Sequence, residues 1–322
     1  MEEKVDMKIL ITGANGYLGK GVVRQLLNEN YNVIATDFKD NFIDKRATIV
    51  IGDIFSMENP YQTLGEPDVL LHMAWRDGFV HGSENHINDL PNHMSFISKM
   101  IKGGIKHVAV MGSMHEVGFF EGSINENTPC NPQSLYGISK NALRRIVELE
   151  CMNNNVIFQW LRGFYIVGNT EDGCSIFSKI VQASKAGKKE FPFTQGLNQF
   201  DFLDYECFCE RVASAVEQTE VTGIINICCG RPERLSDRVE RFIKENDFVT
   251  INDELSWLKN YMYIQKIRFQ DSFTIHYHIE PDMQSYKIPR FILQPFIENS
   301  LLHGFSEIHQ GGEIHPVCLK AT

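Results

Sequence analysis

The chain has 322 residues, of which 43% are hydrophobic and 22% are charged, as is typical of a soluble globular protein with one large domain or two ordinary ones. A formal net charge of -10 argues against sequence-independent binding to nucleic acid, whose phosphates would be repelled. The acidic start MEEKVD lacks the features of a signal peptide and no apolar run is long enough to cross a bilayer, so we expect a cytoplasmic protein with no membrane partner.

Short apolar runs alternate with helical patterns through the first three quarters of the chain. The apolar runs predict seven strands: Lys8–Thr12, Asn32–Thr36, Thr48–Gly52, Val69–His72, Val108–Gly112, Ile157–Arg162 and Ile224–Ile227. The helical patterns between them predict helices near Gly16–Asn28, His86–Gly103, Tyr136–Asn153 and Cys207–Gln218. Alternating strands and helices imply right-handed crossovers, so we predict an α/β fold, a doubly wound parallel sheet of the Rossmann type with a small substrate lobe.

The pattern changes after about Asp247, which suggests residues 1–247 as one domain and 248–322 as a short α+β fragment. The stretch Ile251–Phe269 predicts one long amphipathic helix, FTIHYHIEP alternates like a strand, and IPRFILQPFIENSLLHGF predicts another helix. The eight cysteines are scattered and form no C-x-x-C pair, so we expect reduced thiols and no metal site.

The first predicted strand is followed by a glycine turn, and a helix follows the turn directly. Gly13 permits the tight turn, Gly16 allows a pyrophosphate to approach the backbone, and Gly19 lets the helix pack close to the sheet. Asp37 ends the next strand about 20 residues further on, where a carboxylate binds the adenosine ribose and favours NAD over NADP. Asp53, after the third strand, is placed to meet the adenine. The pattern therefore predicts an NAD site.

A tyrosine and a lysine lie four residues apart in the predicted helix that begins near Tyr136. Because residues at this spacing share one helix face, the Lys140 ammonium can lie beside the Tyr136 phenol and lower its pKa. Ser113 follows a strand at the carboxyl edge of the sheet, where its hydroxyl can bind the same reacting oxygen. The three groups suggest proton exchange with an alcohol oxygen while a hydride moves to or from a nicotinamide.

Taken together, these motifs resemble the extended short-chain dehydrogenase/reductase family, which contains NAD-dependent nucleotide-sugar epimerases and dehydratases. The matching segments, over about residues 8–246, are TGANGYLG, GDI, LLHMAW, VMGSMHEVG, YGISK, LRGFYIVG, QFDFLDYECF and GIINICCGRP. Trp75 and Gln199 depart from the family pattern, in which alanine and arginine are usual at these positions, so we expect an unusual sugar pocket.

The resemblance implies roles for individual residues. The catalytic residues would be Ser113, Tyr136 and Lys140. The NAD-binding residues would be Gly13, Asn15, Gly16, Tyr17, Leu18, Gly19, Asp37, Asp53, Ile54, Ala74, Asn88, Tyr136 and Lys140. Candidate substrate residues are Arg76, which could meet a phosphate, His115, a candidate proton carrier, and Tyr165; each also has a structural interpretation. The helices that contain Asn88 and Tyr136 would form the homodimer usual in the family.

The reaction is the open part of this interpretation. Dehydratases of the family typically carry an Asp-Glu pair just after the catalytic serine or threonine, whereas this chain has Met114 and His115 there, and Glu116 fits only if one residue is deleted. We therefore expect an epimerase or ketoreductase acting on a nucleotide-linked sugar, with dehydration as the alternative. A dinucleotide-sensing regulator without catalysis is a second alternative, against which the complete Ser113, Tyr136 and Lys140 set argues.

The C-terminal segment, about residues 251–314, resembles a truncated sensor histidine kinase of the LytS/YesM type. LQPFIENSLLHG matches the N-box of that family, in which residues corresponding to Glu298 and Asn299 serve catalysis and hold Mg²⁺. The phosphoacceptor histidine and the D-x-G-x-G segments of the nucleotide lid have no counterpart in the sequence. We therefore expect no phosphotransfer, although a signalling fragment that binds ATP remains a third alternative.

Overall fold

A parallel sheet of seven strands forms the centre of the N-terminal part of the protein. The computed structural model describes residues 5–168, 175–186, 191–246, 248–268, 273–280, 283–284, 287–289, 293, 297 and 312–318. The strands up to residue 234 are β1 (Val5–Thr12), β2 (Tyr31–Asp37), β3 (Thr48–Ile51), β4 (Val69–His72), β5 (His107–Ser113), β6 (Ile157–Gly163), β7 (Tyr165–Val167), β8 (Gln199–Phe200), β9 (Phe202–Asp204), β10 (Gly223–Ile227) and β11 (Glu233–Arg234). The sheet order is β10-β6-β5-β4-β1-β2-β3, which confirms the seven predicted strands and the doubly wound Rossmann class.

Helices cover both faces of this sheet. The covering helices are α1 (Tyr17–Asn28), α4 (Leu90–Gly103), α5 (Leu135–Asn153) and α7 (Tyr205–Val216). The other helices up to residue 246 are α2 (Pro60–Thr63), α3 (Asn85–Asn88), α6 (Ile176–Lys185) and α8 (Leu235–Asn246), and a 3₁₀ turn lies at Met114–Glu116. Side chains of β1 alternate between two apolar layers: Ile9 and Ile11 pack with α1 and α7, while Leu10 packs with α4 and α5. Both layers are fully buried, as a parallel sheet requires.

The single helix predicted over His86–Gly103 is wrong in one respect, because the structure has two helices there. α3 ends at Asn88 and α4 begins at Leu90. Pro91 has no N–H group and cannot bond the carbonyl oxygen of Ile87 four residues earlier, so the helical ladder is interrupted at this point. The predicted helices Gly16–Asn28, Tyr136–Asn153 and Cys207–Gln218 correspond to α1, α5 and α7, with shifts of one or two residues at their ends.

The chain divides into two compact units, Met1–Ser236 and Asp237–Thr322. The second unit contains α9 (Ile251–Arg268), as predicted, and the strands β12 (Phe248–Thr250), β13 (Phe273–Ile275), β14 (His278–Ile279), β15 (Lys287–Pro289), β16 (Gly312–Ile314) and β17 (Val317–Cys318). The predicted helix starting at Ile288 is wrong at its first residues, which pair as β15 with β12. Most of its remainder, including Glu298 and Asn299, lies outside the described residues.

The second unit has its own apolar core. Ile251, Leu255, Leu258 and Met262 lie on one stripe of α9 and are buried with Phe273 of β13. This spacing of three and four residues is that of an amphipathic helix. Among the described helices of the whole chain, none is long and apolar enough to cross a membrane.

Candidate active site

The turn between β1 and α1 requires its glycines for steric reasons. Gly13 has φ +69°, in the left-handed region, and a Cβ there would lie 2.7 Å from backbone atoms of Ala74. A Cβ on Gly19 would lie 2.1 Å from the Gly13 carbonyl oxygen, so α1 can approach the turn only with glycine at that position. Gly16 is exposed, and a Cβ there would come within 3.2 Å of the same oxygen. The backbone at Gly16 is therefore open to a ligand.

This turn fits the pyrophosphate of a dinucleotide. Gly16 precedes α1 in an extended conformation, and no side chain in the described ranges caps the helix there. The N–H groups at such a helix start, together with the positive end of the helix dipole, favour a bound phosphate group. The turn also lies where the strand order reverses between β4, β1 and β2, the usual ligand position in open α/β sheets.

Two carboxylates lie beside the turn at the same edge of the sheet. Asp37 ends β2, and its carboxylate accepts hydrogen bonds from the backbone N–H groups of Asn15 (3.0 Å) and Phe38 (2.7 Å). These bonds hold the carboxylate next to the glycine turn and leave lone pairs for ribose hydroxyls. Asp53 follows β3 and is exposed, whereas its neighbour Ile54 is buried in the core.

The other predicted NAD-binding residues occupy different settings. Tyr17 and Leu18 form the first turn of α1, and Ala74 follows β4, where its N–H donates to the Thr12 hydroxyl (3.2 Å). Asn88 lies exposed at the end of α3. The structure therefore brings the glycine turn, Asp37 and Ala74 together.

Ser113 is held at the end of β5 by a buried carboxylate. Glu116 Oε1 accepts the Ser113 N–H (2.6 Å) and the indole N–H of Trp160 (2.8 Å), while Oε2 lies 3.6 Å from Nε of Arg162 and 3.8 Å from Nε of Arg144. Burial raises the pKa of Glu116, and the Ser113 hydrogen bond and the Arg162 charge oppose this rise. Because Glu116 is fully buried in these contacts, it is committed to fixing Ser113 and is not placed to exchange protons with a substrate.

Lys140 is buried beneath the carboxyl edge of the sheet. Its Nζ donates to the Met111 carbonyl oxygen (2.7 Å) and lies 3.9 Å from the centre of the Trp75 ring, on which the charge is stabilised by the ring electrons. Burial lowers the pKa of Lys140 to about 7, and the charge of Glu116 opposes this change. The ammonium lies 6.0 Å from the Tyr136 ring centre, so the two groups share one face of α5 as predicted.

The prediction that Lys140 lowers the pKa of the Tyr136 phenol is wrong for this structure. Burial raises the pKa of Tyr136 to about 12, and the hydrogen bond with the Ser113 hydroxyl acts against that rise. The reason is desolvation. Burial among rings destabilises the phenolate, and a lysine whose Nζ lies 6.0 Å from the ring centre does not compensate for this loss of hydration. Ser113, Tyr136 and Lys140 nevertheless form one cluster.

Imidazole rings surround the phenol. The His81 ring is stacked on the Tyr136 ring (centroids 5.1 Å apart, planes at 10°) and meets the edge of His115 (4.2 Å). The centroid of the His115 ring lies 6.0 Å from that of Tyr136 and 6.4 Å from that of Tyr165. The Tyr165 ring in turn contacts the ring of Phe200, with centroids 4.6 Å apart. Burial lowers the pKa of His115 to about 4, so this imidazole is neutral near pH 7. A row of aromatic rings thus leads from the phenol towards β8.

Arg76 is paired rather than free. Its guanidinium makes a two-pronged ion pair with Asp89, in which Nη2 lies 2.8 Å from Oδ1. The Arg76 side chain is largely exposed, so N–H donors remain that could bind a phosphate. Its main partner in this structure is nevertheless the Asp89 carboxylate.

Three residues around the cluster, Trp75, His81 and Glu116, were not predicted as site residues. Trp75 was visible only as a departure from the family pattern, and no sequence pattern distinguished His81. The functional signal of His81 is its contact with Tyr136, which is 55 residues distant and so leaves no spacing pattern. Among the described residues no group of three or more His, Cys, Asp or Glu is arranged to hold a metal ion.

Comparisons with known proteins agree with this geometry. The dTDP-6-deoxy-L-talose 4-dehydrogenase (NAD(+)) of Aggregatibacter actinomycetemcomitans is 39% identical over 248 residues, which cover 75% of this chain and 91% of that protein. A solved UDP-glucose 4-epimerase from Thermotoga maritima has a TM-score of 0.64 at 20% identity, over 74% of this chain and 82% of that one, and shows the shared fold.

A second, shorter similarity is to a sensor histidine kinase. The sensor histidine kinase BtsS of Escherichia coli (strain K12) is 32% identical over 71 residues, which cover 22% of this chain and 13% of that protein. So short a match assigns no activity.

The model of the NAD dependent epimerase/dehydratase family matches residues 9–228, which include the glycine turn, Asp37 and the cluster around Tyr136. This match covers more than half of the chain, and the 39% identical relative spans the same region. The protein therefore belongs to the NAD dependent epimerase/dehydratase family and is an enzyme that uses NAD.

Proposed function

We propose that the protein oxidises or reduces C4 of a dTDP-linked 6-deoxy sugar, as a 4-dehydrogenase that also runs as a ketoreductase. The observation that best supports this proposal is the 39% identity to a dTDP-6-deoxy-L-talose 4-dehydrogenase, over 91% of the length of that enzyme. Net epimerisation of a nucleotide sugar is the second candidate, because it needs the same Ser-Tyr-Lys set. Dehydration is disfavoured, since Glu116 is buried against Arg162 and Trp160.

The glycine turn and Asp37 would hold NAD, which supplies a hydride acceptor or donor when bound. In the oxidation direction the Ser113 hydroxyl and the Tyr136 phenolate would bind the sugar hydroxyl, and Tyr136 would take its proton as the hydride on C4 passes to the bound cofactor. Because burial raises the pKa of Tyr136 to about 12, the phenolate is a minor form, which a neighbouring ammonium on Lys140 would favour by its charge. In the reverse direction the Tyr136 hydroxyl returns the proton to the sugar oxygen. These assignments for Ser113, Tyr136 and Lys140 are part of the proposal.

The experiment is incubation of the protein with NAD and dTDP-linked 6-deoxyhexoses, followed by absorbance of reduced nicotinamide and by NMR of the products. A dehydrogenase yields a 4-keto sugar with an equal amount of reduced cofactor, whereas an epimerase yields the C4 epimer without net reduction. A product lighter by one water would refute the proposal. Tyr136→Phe is expected to bind NAD but to lose turnover, while a regulator without catalysis would show no turnover in the parent protein either.

We propose further that the protein is a cytoplasmic homodimer that pairs through the face formed by α4 and α5. Ile138, Leu149 and Met152 of α5 are exposed large apolar residues, and α4 packs alongside that helix. Exposed apolar residues of this kind are buried by a partner in helix-mediated dimers. Leu149→Glu is expected to convert a dimer into a monomer in light scattering, and a monomeric parent protein would contradict the proposal.

We propose that residues 1–247 carry the enzyme and that 248–322 form a histidine-kinase-like fragment without phosphotransfer. The 71-residue similarity to BtsS supports the second assignment. Titration with a fluorescent ATP analogue and incubation with labelled ATP test it. Labelled protein would overturn the assignment, and ATP binding without labelling would favour a signalling fragment.

A further inference from the structure

The loop between β4 and α3 (residues 73–84) contacts both proposed acid–base residues. The Trp75 ring lies against the Lys140 ammonium (3.9 Å), and the His81 ring is stacked on the Tyr136 ring (5.1 Å). We propose that the β4–α3 loop positions the catalytic pair, with Trp75 as the positioning residue for Lys140 and His81 as the positioning residue for Tyr136. This inference rests on the proposed function, in which Tyr136 exchanges the proton.

The β4–α3 loop is a built structure. Asp77 has φ +57°, a conformation that side-chain-bearing residues seldom adopt, and its Oδ2 accepts hydrogen bonds from Ser83 Oγ (2.8 Å) and Asn85 Nδ2 (2.6 Å). The Asp77 carbonyl oxygen also accepts the N–H of Val80 (2.7 Å). These hydrogen bonds fix the backbone of the loop, and they therefore fix the position of His81.

Trp75 is fixed by two imidazoles. His86 Nε2 lies 3.0 Å from the Val80 carbonyl oxygen, which only accepts, so Nε2 carries the proton and Nδ1 accepts from the Trp75 indole N–H (3.0 Å). The Trp75 ring is also stacked on His93 (4.5 Å, 17°), whose Nδ1 is bonded to His72 Nε2 (2.8 Å). The indole therefore has a single orientation when it meets the ammonium.

The environment of Lys140 gives Trp75 a chemical role. The other groups that face the ammonium are the Met111 carbonyl oxygen, the buried Glu116 and the imidazoles of His72 and His93. Burial keeps both imidazoles neutral, since it lowers the pKa of His93 to about 3 and that of His72 well below its ordinary value. The Trp75 ring face thus adds cation stabilisation where water is excluded.

His81 holds Tyr136 in two ways. Its carbonyl oxygen accepts the Tyr136 N–H (3.0 Å) in the first turn of α5, and its ring covers the phenol ring in a parallel stack. In a parallel stack the ring nitrogens do not point at the phenol oxygen, so the contact fixes ring position and excludes water instead of transferring the proton. The other titratable groups around this stack are His86 and His115.

Two substitutions of His81 separate position from proton transfer. His81→Ala is expected to lower kcat on the nucleotide sugar by about tenfold or more, because a loosely held phenol misses the reacting oxygen. His81→Phe keeps a flat ring and is expected to stay within about threefold of the parent protein. If His81→Phe is as slow as His81→Ala, the imidazole transfers protons and the proposal is overturned. It is equally overturned if His81→Ala matches the parent protein.

Two substitutions of Trp75 are compared through the pH dependence of kcat/KM for sugar oxidation. Trp75→Leu removes the ring face, so Lys140 loses its proton more readily. The falling limb of kcat/KM for sugar oxidation, along which the ammonium is lost, is therefore expected to move down by about 0.5 to 1 pH unit. Trp75→Phe keeps a ring face and is expected to restore the limb. An unmoved limb in Trp75→Leu, or an equal shift in both variants, would refute the role of the ring.

Phe79→Ala is the matched control, because Phe79 belongs to the same loop and is 58% exposed. NAD binding and the thermal midpoint of each variant report whether it is folded. A parent protein that turns over no nucleotide sugar contradicts the proposed function itself. An active parent with an inactive Tyr136→Phe variant, alongside loop variants that all match the parent, contradicts only the role of the loop.

Discussion

At the residue scale, the most constrained group near the site is the Glu116 carboxylate. It accepts hydrogen bonds from the Ser113 N–H and the Trp160 indole, and it lies beside the guanidinium of Arg162, which is itself fully buried. A buried ion pair is not in itself a source of stability, but removal of one partner leaves the other charge buried and unpaired. Glu116 therefore couples the position of Ser113 to the core.

Glu116→Gln is expected to lower the free energy of unfolding by about 3–5 kcal/mol, because it removes the buried anion beside Arg162 and Arg144. The matched control is Glu206→Gln, which removes the exposed partner of Arg24 and is expected to cost less than about 1 kcal/mol. Urea denaturation of the two variants measures both values. Equal losses would contradict the structural role of Glu116.

The buried ammonium of Lys140 predicts a pH dependence of stability. Its pKa is about 7 in the folded protein against an ordinary value of 10.5, so between these values the unfolded chain binds more protons and stability increases with pH. Lys140→Met is expected to remove this increase, which amounts to up to about 1.4 kcal/mol per pH unit.

The measurement is urea denaturation of the parent protein, Lys140→Met and the exposed-site control Lys102→Met from about pH 7 to about pH 9.5, below the range in which Tyr136 titrates. The control is expected to follow the parent protein. Parallel stability curves for the parent and Lys140→Met would show that the lysine is not desolvated as the structure indicates.

At the element scale, the glycines of the β1–α1 turn serve different purposes, and the structure separates them. Gly19 permits contact between α1 and the turn, since a Cβ would meet backbone at 2.1 Å. Gly16 is exposed, and the nearest atom to a Cβ at this position would be the Gly13 carbonyl oxygen at 3.2 Å. The sequence pattern predicts these separate roles, packing for Gly19 and ligand approach for Gly16, and the two steric distances are consistent with them.

Gly19→Ala is therefore expected to lower the free energy of unfolding by about 1–3 kcal/mol, as overpacking does. Gly16→Ala is expected to keep the stability of the parent protein but to weaken NAD binding by about tenfold or more, because the methyl group occupies the approach to the backbone. Calorimetric titration with NAD and thermal melting test the pair. The same effect of both substitutions on stability would contradict the distinction.

Elements with a strong local pattern were predictable from sequence, and their interruptions were less so. The seven sheet strands are mainly apolar runs, which sequence patterns identify well. The break between α3 and α4 has a local cause in Pro91, which the helical pattern concealed. The residues predicted to begin a helix at Ile288 instead pair with β12, because hydrogen bonds to a strand distant in sequence override local propensity.

At the scale of the whole molecule, each of the two units has its own core. Leu258 of α9 is fully buried in the core of the second unit. Leu258→Ala is expected to destabilise this unit by about 2–5 kcal/mol, and hydrogen exchange of α9 to quicken accordingly. If catalysis resides in residues 1–247 as proposed, kcat on the nucleotide sugar stays at the value of the parent protein.

Tyr263→Ala is the control for this prediction, because Tyr263 belongs to the same helix and is 69% exposed. It is expected to change neither hydrogen exchange nor kcat. A fall in kcat with Leu258→Ala alone would contradict the assignment of catalysis to the first part of the chain.

The sequence by itself determined the fold class and the family, and it predicted the glycine turn as the NAD site and Ser113, Tyr136 and Lys140 as the catalytic set. Each of these is visible in short local patterns: alternating apolar runs, three spaced glycines, and a tyrosine four residues before a lysine. Side-chain spacing on one helix is a local property, so Tyr136 and Lys140 could be paired without a structure.

Only the tertiary structure decided the electrostatics and the surroundings of that set. The phenol pKa is raised and not lowered because burial depends on rings from distant segments, His81 and Trp75 among them. Glu116 looked like a displaced dehydratase residue until its carboxylate proved to be buried against Arg162. Desolvation and long-range contacts depend on residues that are far apart in sequence and follow no periodic pattern. They can therefore be identified only in the folded structure.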